Sequence, residues 1–346
     1  MFNRSALRIS TFYVSLVLLI LAAGCLPAGD GDSGSEIRRV AGPYVLNVPA
    51  WEMQNTLSPV GSAPQPVTPA VLDADIERAL AQQGIAAAPP VRSRLEQPPL
   101  LLVVSPRERI MYSDRLLLQP GMNISQIEEL ENRIEEMGLS ALVVKIGGFG
   151  AAYPAVVSPS LPLKNIVEAS VEEWAHQYLA FKPLGFLYLL DCLGLAQDPG
   201  VITMNETLAG MIADEVGSIV YSHYSDIAGP QQNSRQDDGF DFAAEMRLTR
   251  RHVDELLAAG EVEQAEGYMS MRRVYFEAHG YPIRKLNQAY FAFHGIYGQD
   301  PGSASPIYGQ MAMLREASGS LSEFVDRVSV MTGPDGLQEA VNSLSR

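Results

Sequence analysis

This chain predicts an α+β fold, a small β-sheet layer followed by a helix-dominated lobe, and three patterns predict it. Between residues 99 and 157, short apolar clusters sit between turn residues as strands do. From residue 160 onward, apolar residues recur at helical spacing in one segment after another. The two regions follow one another instead of alternating, so a strand block and a helix block pack together without repeated βαβ crossovers.

Residues 1–25, MFNRSALRISTFYVSLVLLILAAGC, place Arg4 and Arg8 before an apolar run that starts at Phe12 and ends in small residues. This is the layout of a secretory signal peptide. The run is shorter than the ~20 residues a membrane-spanning helix needs. LAAGC resembles a bacterial lipobox, which implies cleavage before Cys25 and a lipid on that residue; the alternative is an uncleaved N-terminal anchor. Both place the chain outside the cytoplasm, tethered to the membrane.

LPAGDGDSGSE, rich in Gly, Ser and Asp, then reads as a flexible tether. PAWEMQNTL and AVLDADIERALAQQGI have the character of short helices, but the proline-rich VGSAPQPVTP separates them and AAAPPVRSRLEQPP follows. Residues 26–98 are therefore expected to be a tether and a proline-rich appendage lying loosely on a main domain of residues 99–346.

In that domain, PLLLVVSPRERIMYSDRLLLQPG reads as a β-hairpin. NISQIEELENRIEEMG carries Ile127, Leu130, Ile134 and Met137 at helical spacing and ends in glycine. SALVVKIGGFGAAYPAVV reads as two short strands around a Gly-rich turn. Helices are then expected over LKNIVEASVEEWAHQYLAF, TMNETLAGMIADEVGSIVYSHY, FDFAAEMRLTRRHVDELLAAG, EVEQAEGYMSMRRVYFEAHG, IRKLNQAYFAFHGIYG, LSEFVDRVSVM and GLQEAVNSLS.

Charge and cysteine content narrow the function classes. The formal charge of −15 becomes −17 once Arg4 and Arg8 leave with a leader that contains no acid. Such an acidic chain is a poor match for nucleic acid or for anionic lipid as a main partner. With Cys25 lipidated, Cys192 has no partner for an internal disulfide. Its setting, FLYLLDCLGL, reads as that of a buried structural thiol.

The chemistry concentrates in VEEWAHQYLAF. Glu168, Glu172 and His176 lie four residues apart on one helical stripe, and Glu173 precedes His176 by three on nearly the same face. Trp174, Tyr178, Leu179 and Phe181 give this helix an apolar body, and acids buried there without a cation are costly. Downstream, NETLAG puts Glu206 near the start of a helix carrying Ala209, Gly210, Ala213 and Gly217, small residues that admit another helix closely.

With these residues in view, residues 99–340 resemble a family of uncharacterised bacterial HExxH proteins similar to gluzincin metallopeptidases, whose helices carry HEWxHHYL and NETxA. The resemblance implies a gluzincin-like architecture with SALVVKIGGFGAAYPAVV as an edge strand near the cleft and RKLNQAYFAFHGIYG as a late helix bordering it. It makes His176 and Glu206 zinc ligands and Glu173 the base that activates a metal-bound water. Glu172 stands where the family has its first histidine, and Gly210 where an aspartate commonly orients that histidine.

A carboxylate is an acceptable third ligand, so Glu172, His176 and Glu206 form a more anionic set that holds zinc with weaker Lewis acidity and tilts toward harder cations such as manganese. The expected partner is a peptide or protein substrate, cleaved by an extracytoplasmic metallopeptidase-like lipoprotein. The alternatives are a catalytically inactive relative that binds peptide or protein through the same cleft, and a structural surface lipoprotein. His223, His252, His279 and His294 occur singly and read as cap, core or surface residues. Tyr290 offers a phenol to a developing oxyanion, although the aromatic spacing of Tyr290, Phe293 and Tyr297 also suits a core. Ser305 shows no His-Asp partners, and no Walker or dinucleotide-binding glycine pattern is present.

Overall fold

The computed structural model describes residues 32–57, 67–196, 198–224 and 239–344; the leader and Cys25 lie outside them. Helix α1 (Asp32–Ala41) starts inside the stretch expected as a tether and buries Ile37, Val40 and Ala41. Helix α2 (Val48–Leu57) has no buried residue from Val48 to Gln54. Among its contacts, Trp51 meets Phe149 edge-on with ring centroids 6.2 Å apart, Arg94 lies over the Trp51 ring at 5.4 Å, and Glu52 accepts from Arg94 at 2.7 Å.

Helix α3 (Pro69–Gln82) departs from the expected loose packing. Leu72, Ile76 and Leu80 are at most 1 % exposed and belong to the largest apolar core, because the i, i+4, i+8 spacing presents one stripe to it. Strand β1 (Ser93–Leu95) follows, so the region from Val67 to residue 98 is built into the body of the protein.

The expected hairpin forms from β2 (Leu100–Pro106) and β3 (Asp114–Leu118), paired antiparallel. The predicted helix α4 (Ile124–Glu135) begins with a capping box between Asn123 and Gln126, which satisfies backbone N–H groups at its first turn. Strand β4 (Leu139–Lys145) joins the other side of β2, giving the order β3-β2-β4. Alternation along β2 splits its side chains: Leu100, Leu102 and Val104 pack with α1 and α4, while Val103 faces the opposite side.

The Gly-rich region departs from the reading as two strands in one layer. Beyond β4 it forms β5 (Gly148–Phe149) and β6 (Ala155–Val157), which join β1 in a second sheet ordered β1-β6-β5. β1 and β6 run parallel and β5 is the antiparallel edge.

The helical lobe comprises α5 (Leu163–Leu179), α6 (Pro183–Cys192), α7 (Pro199–Ser222), α8 (Phe242–Ala258), α9 (Val262–Ala278), α10 (Gln288–His294), α11 (Ile307–Glu316), α12 (Leu321–Ser329) and α13 (Pro334–Ser343). The mixed α+β class is therefore present, with two small sheets and a helical majority. FLYLLDC, the first part of FLYLLDCLGL, lies in helix α6, α10 stops at His294, earlier than the apolar pattern suggests, and α11 has no counterpart among the expected helices. No helix among the described residues is long and apolar enough to cross a membrane.

One buried acid joins the sheet layer to the later chain. Glu131 on α4 is 1 % exposed and accepts from both terminal nitrogens of Arg284 at 2.8 and 2.5 Å, from Lys285 Nζ at 3.3 Å and from the Val143 backbone N–H at 2.6 Å. This anchors the segment entering α10 against β4, with Phe293 and Ala292 buried on the sheet. Breaking a fully buried pair costs ~3–5 kcal/mol. Arg284 and Lys285 keep 34 % and 24 % of their side chains exposed, so water relieves part of that cost. Glu131→Ala is expected to lower stability by about 2 kcal/mol, read from the urea midpoint at unchanged slope.

Candidate metal centre

α5 and α7 pack against each other more extensively than any other pair of elements, and small residues on α7 make this possible. A Cβ on Gly217 would lie 3.1 Å from Glu168 Cγ. Asp198 accepts from the Gly200 and Val201 N–H groups and Pro199 opens the helix, so α7 starts at a fixed point and delivers Asn205 and Glu206 to its second turn.

Across this helix pair, Glu172, His176 and Glu206 each offer a ligand atom, and these atoms all lie within 4.8 Å of one another. His176 Nε2 is 3.4 Å from a Glu206 oxygen. Its Nδ1 donates to Asn205 Oδ1 at 2.8 Å, which turns Nε2 toward the acids. Tyr188 of α6 stacks on the imidazole, with centroids 5.5 Å apart at 15°, and donates its hydroxyl to Glu206 at 2.7 Å. The donor set of two carboxylates and one imidazole nitrogen could hold a metal ion. Glu168 lies on the same stripe but pairs with Lys164 at 3.3 Å and stays outside the group.

Glu173 lies beside the group, against the edge strand β5. A Cβ on Gly148 would fall 2.2 Å from its Oε1 and one on Gly150 2.6 Å from its Oε2, while the Gly150 N–H donates to the carboxylate. Gln177, one turn on, donates to the Gly150 and Ala152 carbonyls and ties this loop to α5. The GGFG turn is therefore a cradle for one carboxylate.

The electrostatics follow from crowding three acids around one imidazole. Burial raises Glu173 to about 8, with Glu172 and Glu206 adding to the rise. Burial likewise raises Glu172 to about 7. For His176 burial opposes protonation, but Glu206, Glu173 and Glu172 outweigh it and raise the imidazole to about 10. Glu206 ends below its ordinary value: burial pushes it up, and the imidazole, Tyr188 and Arg115 more than offset this.

The centre opens into a cleft of about 1670 Å³ lined by the β5 loop, β3, α6 and the segment after α10. Cys192 corrects the reading as a buried thiol: it is exposed and lines this cleft, because α6 presents its C-terminal end there. Tyr290 packs against Phe291 and His294 and does not line the cleft. Tyr297 does, and Glu206, Glu172 and Glu173 all act on its phenol, which burial holds well above its ordinary value. Tyr297 lies beyond the end of α10 at His294 but still packs edge-on against Phe293, with ring centroids 5.6 Å apart, in the same apolar cluster as Tyr290.

Of the single histidines, His223 and His279 cap helices and His252 is exposed beside Glu255. His294 bonds Asp300 at 2.7 Å on the cleft wall, apart from the metal-ligand group. Ser305 also lines the cleft, with its hydroxyl accepting from the Ile307 N–H. Asn205 was legible in principle, since it precedes Glu206 in NETLAG; Tyr188 sits in an apolar run with no signal around it.

No family model matches the chain, and no curated protein or solved structure is similar to it.

Raised acid pKa values make a statement about stability without metal. An acid raised above its unfolded value near 4.5 stabilises fully below that value and loses the contribution as pH rises through its folded value. His176 acts in the same direction between 6.5 and about 10. The metal-free protein is therefore expected to melt at progressively lower temperature from pH 5.5 to 8.5, and Glu173→Gln to flatten that slope in thermal scans.

Proposed function

We propose that this chain is an extracytoplasmic, membrane-anchored lipoprotein with a gluzincin-like metallopeptidase site, Cys25 being the lipidated residue. The observation that carries the reading is the convergence of Glu172, His176 and Glu206 beside Glu173 at the wall of one large cleft. Three protein ligands with one position left for water is the composition of a catalytic zinc site. Zinc, with manganese as the alternative that an acid-rich set favours, would supply a Lewis acid and a water acidified toward neutrality.

The residues around it have separable tasks. Glu173 is the base: its carboxyl, raised to about 8 without a cation, would be lowered by one held on the three neighbouring ligands, and it takes a proton from the attacking water. Tyr297 stays a neutral phenol and donates toward the oxyanion that develops on the scissile carbonyl. Asn205 fixes the imidazole tautomer and Tyr188 holds Glu206. A peptide is the substrate class because a large cleft bordered by the edge strand β5 offers an extended chain backbone to pair with.

The second reading, an inactive relative that binds peptide in the same cleft, draws support from Glu172. A carboxylate in place of the first histidine weakens the charge on the metal and with it the acidity of the bound water.

Elemental analysis of the mature chain is expected to find near-stoichiometric zinc or manganese, lost in His176→Ala and Glu206→Ala. Glu173→Gln is expected to keep the metal and lose peptide hydrolysis by two orders of magnitude or more. Absence of metal after reconstitution would overturn the reading; metal without hydrolysis in the unaltered chain would select the inactive relative.

A further inference from the structure

The register of α5 against α7 places an unassigned side chain at the centre. At one end His176 meets Asn205 and Glu206. Two turns away Glu168 lies against Gly217. The helices are antiparallel, so Glu172, midway on α5, faces the part of α7 around Gly210. Gly210 brings no side chain there. The amide of Gln299, from the segment after α10, occupies it instead: Nε2 lies 2.1 Å from where a Cβ on Gly210 would be, and Oε1 lies 3.6 Å away. The group laid over Gly210 is a hydrogen-bond donor.

A donor is what this position lacks. His176 has Asn205 behind it and Glu206 has Tyr188, whereas the Glu172 carboxylate carries no hydrogen bond to another described residue and is governed by burial and neighbouring charge alone. An imidazole ligand needs an acceptor behind it; a carboxylate ligand accepts only and needs a donor. Gln299 is exposed and lines the same cleft as Glu172.

We infer that Gln299 is the positioning residue for Glu172, its amide N–H groups bonding the carboxylate oxygen turned away from the metal, with Gly210 required so that the amide has room. The inference rests on the metal reading above. It explains a site with glutamate at residue 172 and glycine at residue 210 as one matched arrangement: the acceptor that a histidine would call for is replaced by a donor reaching in from another segment.

The test is zinc affinity by chelator competition on the mature chain, with circular dichroism and thermal melts of each metal-free variant. Gln299→Met keeps length and loses the donor. Gly210→Ala leaves Gln299 in the sequence but evicts its amide, and as an alanine within a helix it favours the fold. Each is expected to weaken zinc binding 10- to 100-fold while folding normally. Gln299→Glu is expected to weaken it further alone, and to restore affinity tenfold or more when combined with Glu172→His, whose ring N–H the new carboxylate accepts. Unaltered chain that binds zinc, with Gln299→Met and Gly210→Ala within threefold of it, would overturn the role of Gln299 and leave the metal site standing. Unaltered chain that binds no zinc would remove the metal site and this inference with it.

Discussion

The close antiparallel packing of α5 on α7 is the constraint from which the rest of the centre follows. Gly217 brings the helices together at one end, and the Asn205 and Glu206 contacts to His176 fix them at the other. Between these points the pair must enclose two more acids, Glu172 and Glu173, in a setting where unpaired carboxylates are expensive. Every other feature is a response to that enclosure. The imidazole holds a proton to high pH, a phenol donates to Glu206, and a glycine turn wraps Glu173.

The two layers of the molecule meet at this centre for a physical reason. The larger sheet is anchored on one side by α1 and α4 and on the other by α10, whose approach Glu131 fixes through Arg284 and Lys285. The segment leaving α10 then carries both Tyr297 and Gln299 to the cleft. The smaller sheet contributes only its edge, β5, and that edge touches Glu173. The helices therefore supply the groups that bear charge, while the sheets and the late segment supply the surfaces that orient them.

Much of this was legible locally. The hairpin over residues 100–118, the capped helix at 124–135, and the two helices bearing EExxH and NE all announce themselves through period and caps within about twenty residues. Stripe geometry made Glu172 and His176 neighbours; that Glu206 joins them was implied by the resemblance carried by EExxH and NE, and the structure brings the three together. What the sequence hides depends on distant partners. α3 sits between proline-rich stretches, yet its apolar stripe completes the main core; β1 pairs with β6 some sixty residues later; Glu131 finds Arg284 across 153 positions. Tyr290 and Tyr297 share a helical spacing, but the helix ends between them, so only the second reaches the acids. Cys192 is apolar in its surroundings along the chain and open to the cleft in space.

The glycine cradle has a consequence for how this chain tolerates change. Gly148 and Gly150 bring no side-chain chemistry, yet a single added carbon at either would overlap the Glu173 carboxylate. In a library of random substitutions selected for an intact centre, these two positions would be depleted of all nineteen alternatives, as the acids themselves would be. Ranking positions by intolerance alone would therefore name as reactive groups two residues that contribute only backbone and the space their missing side chains leave.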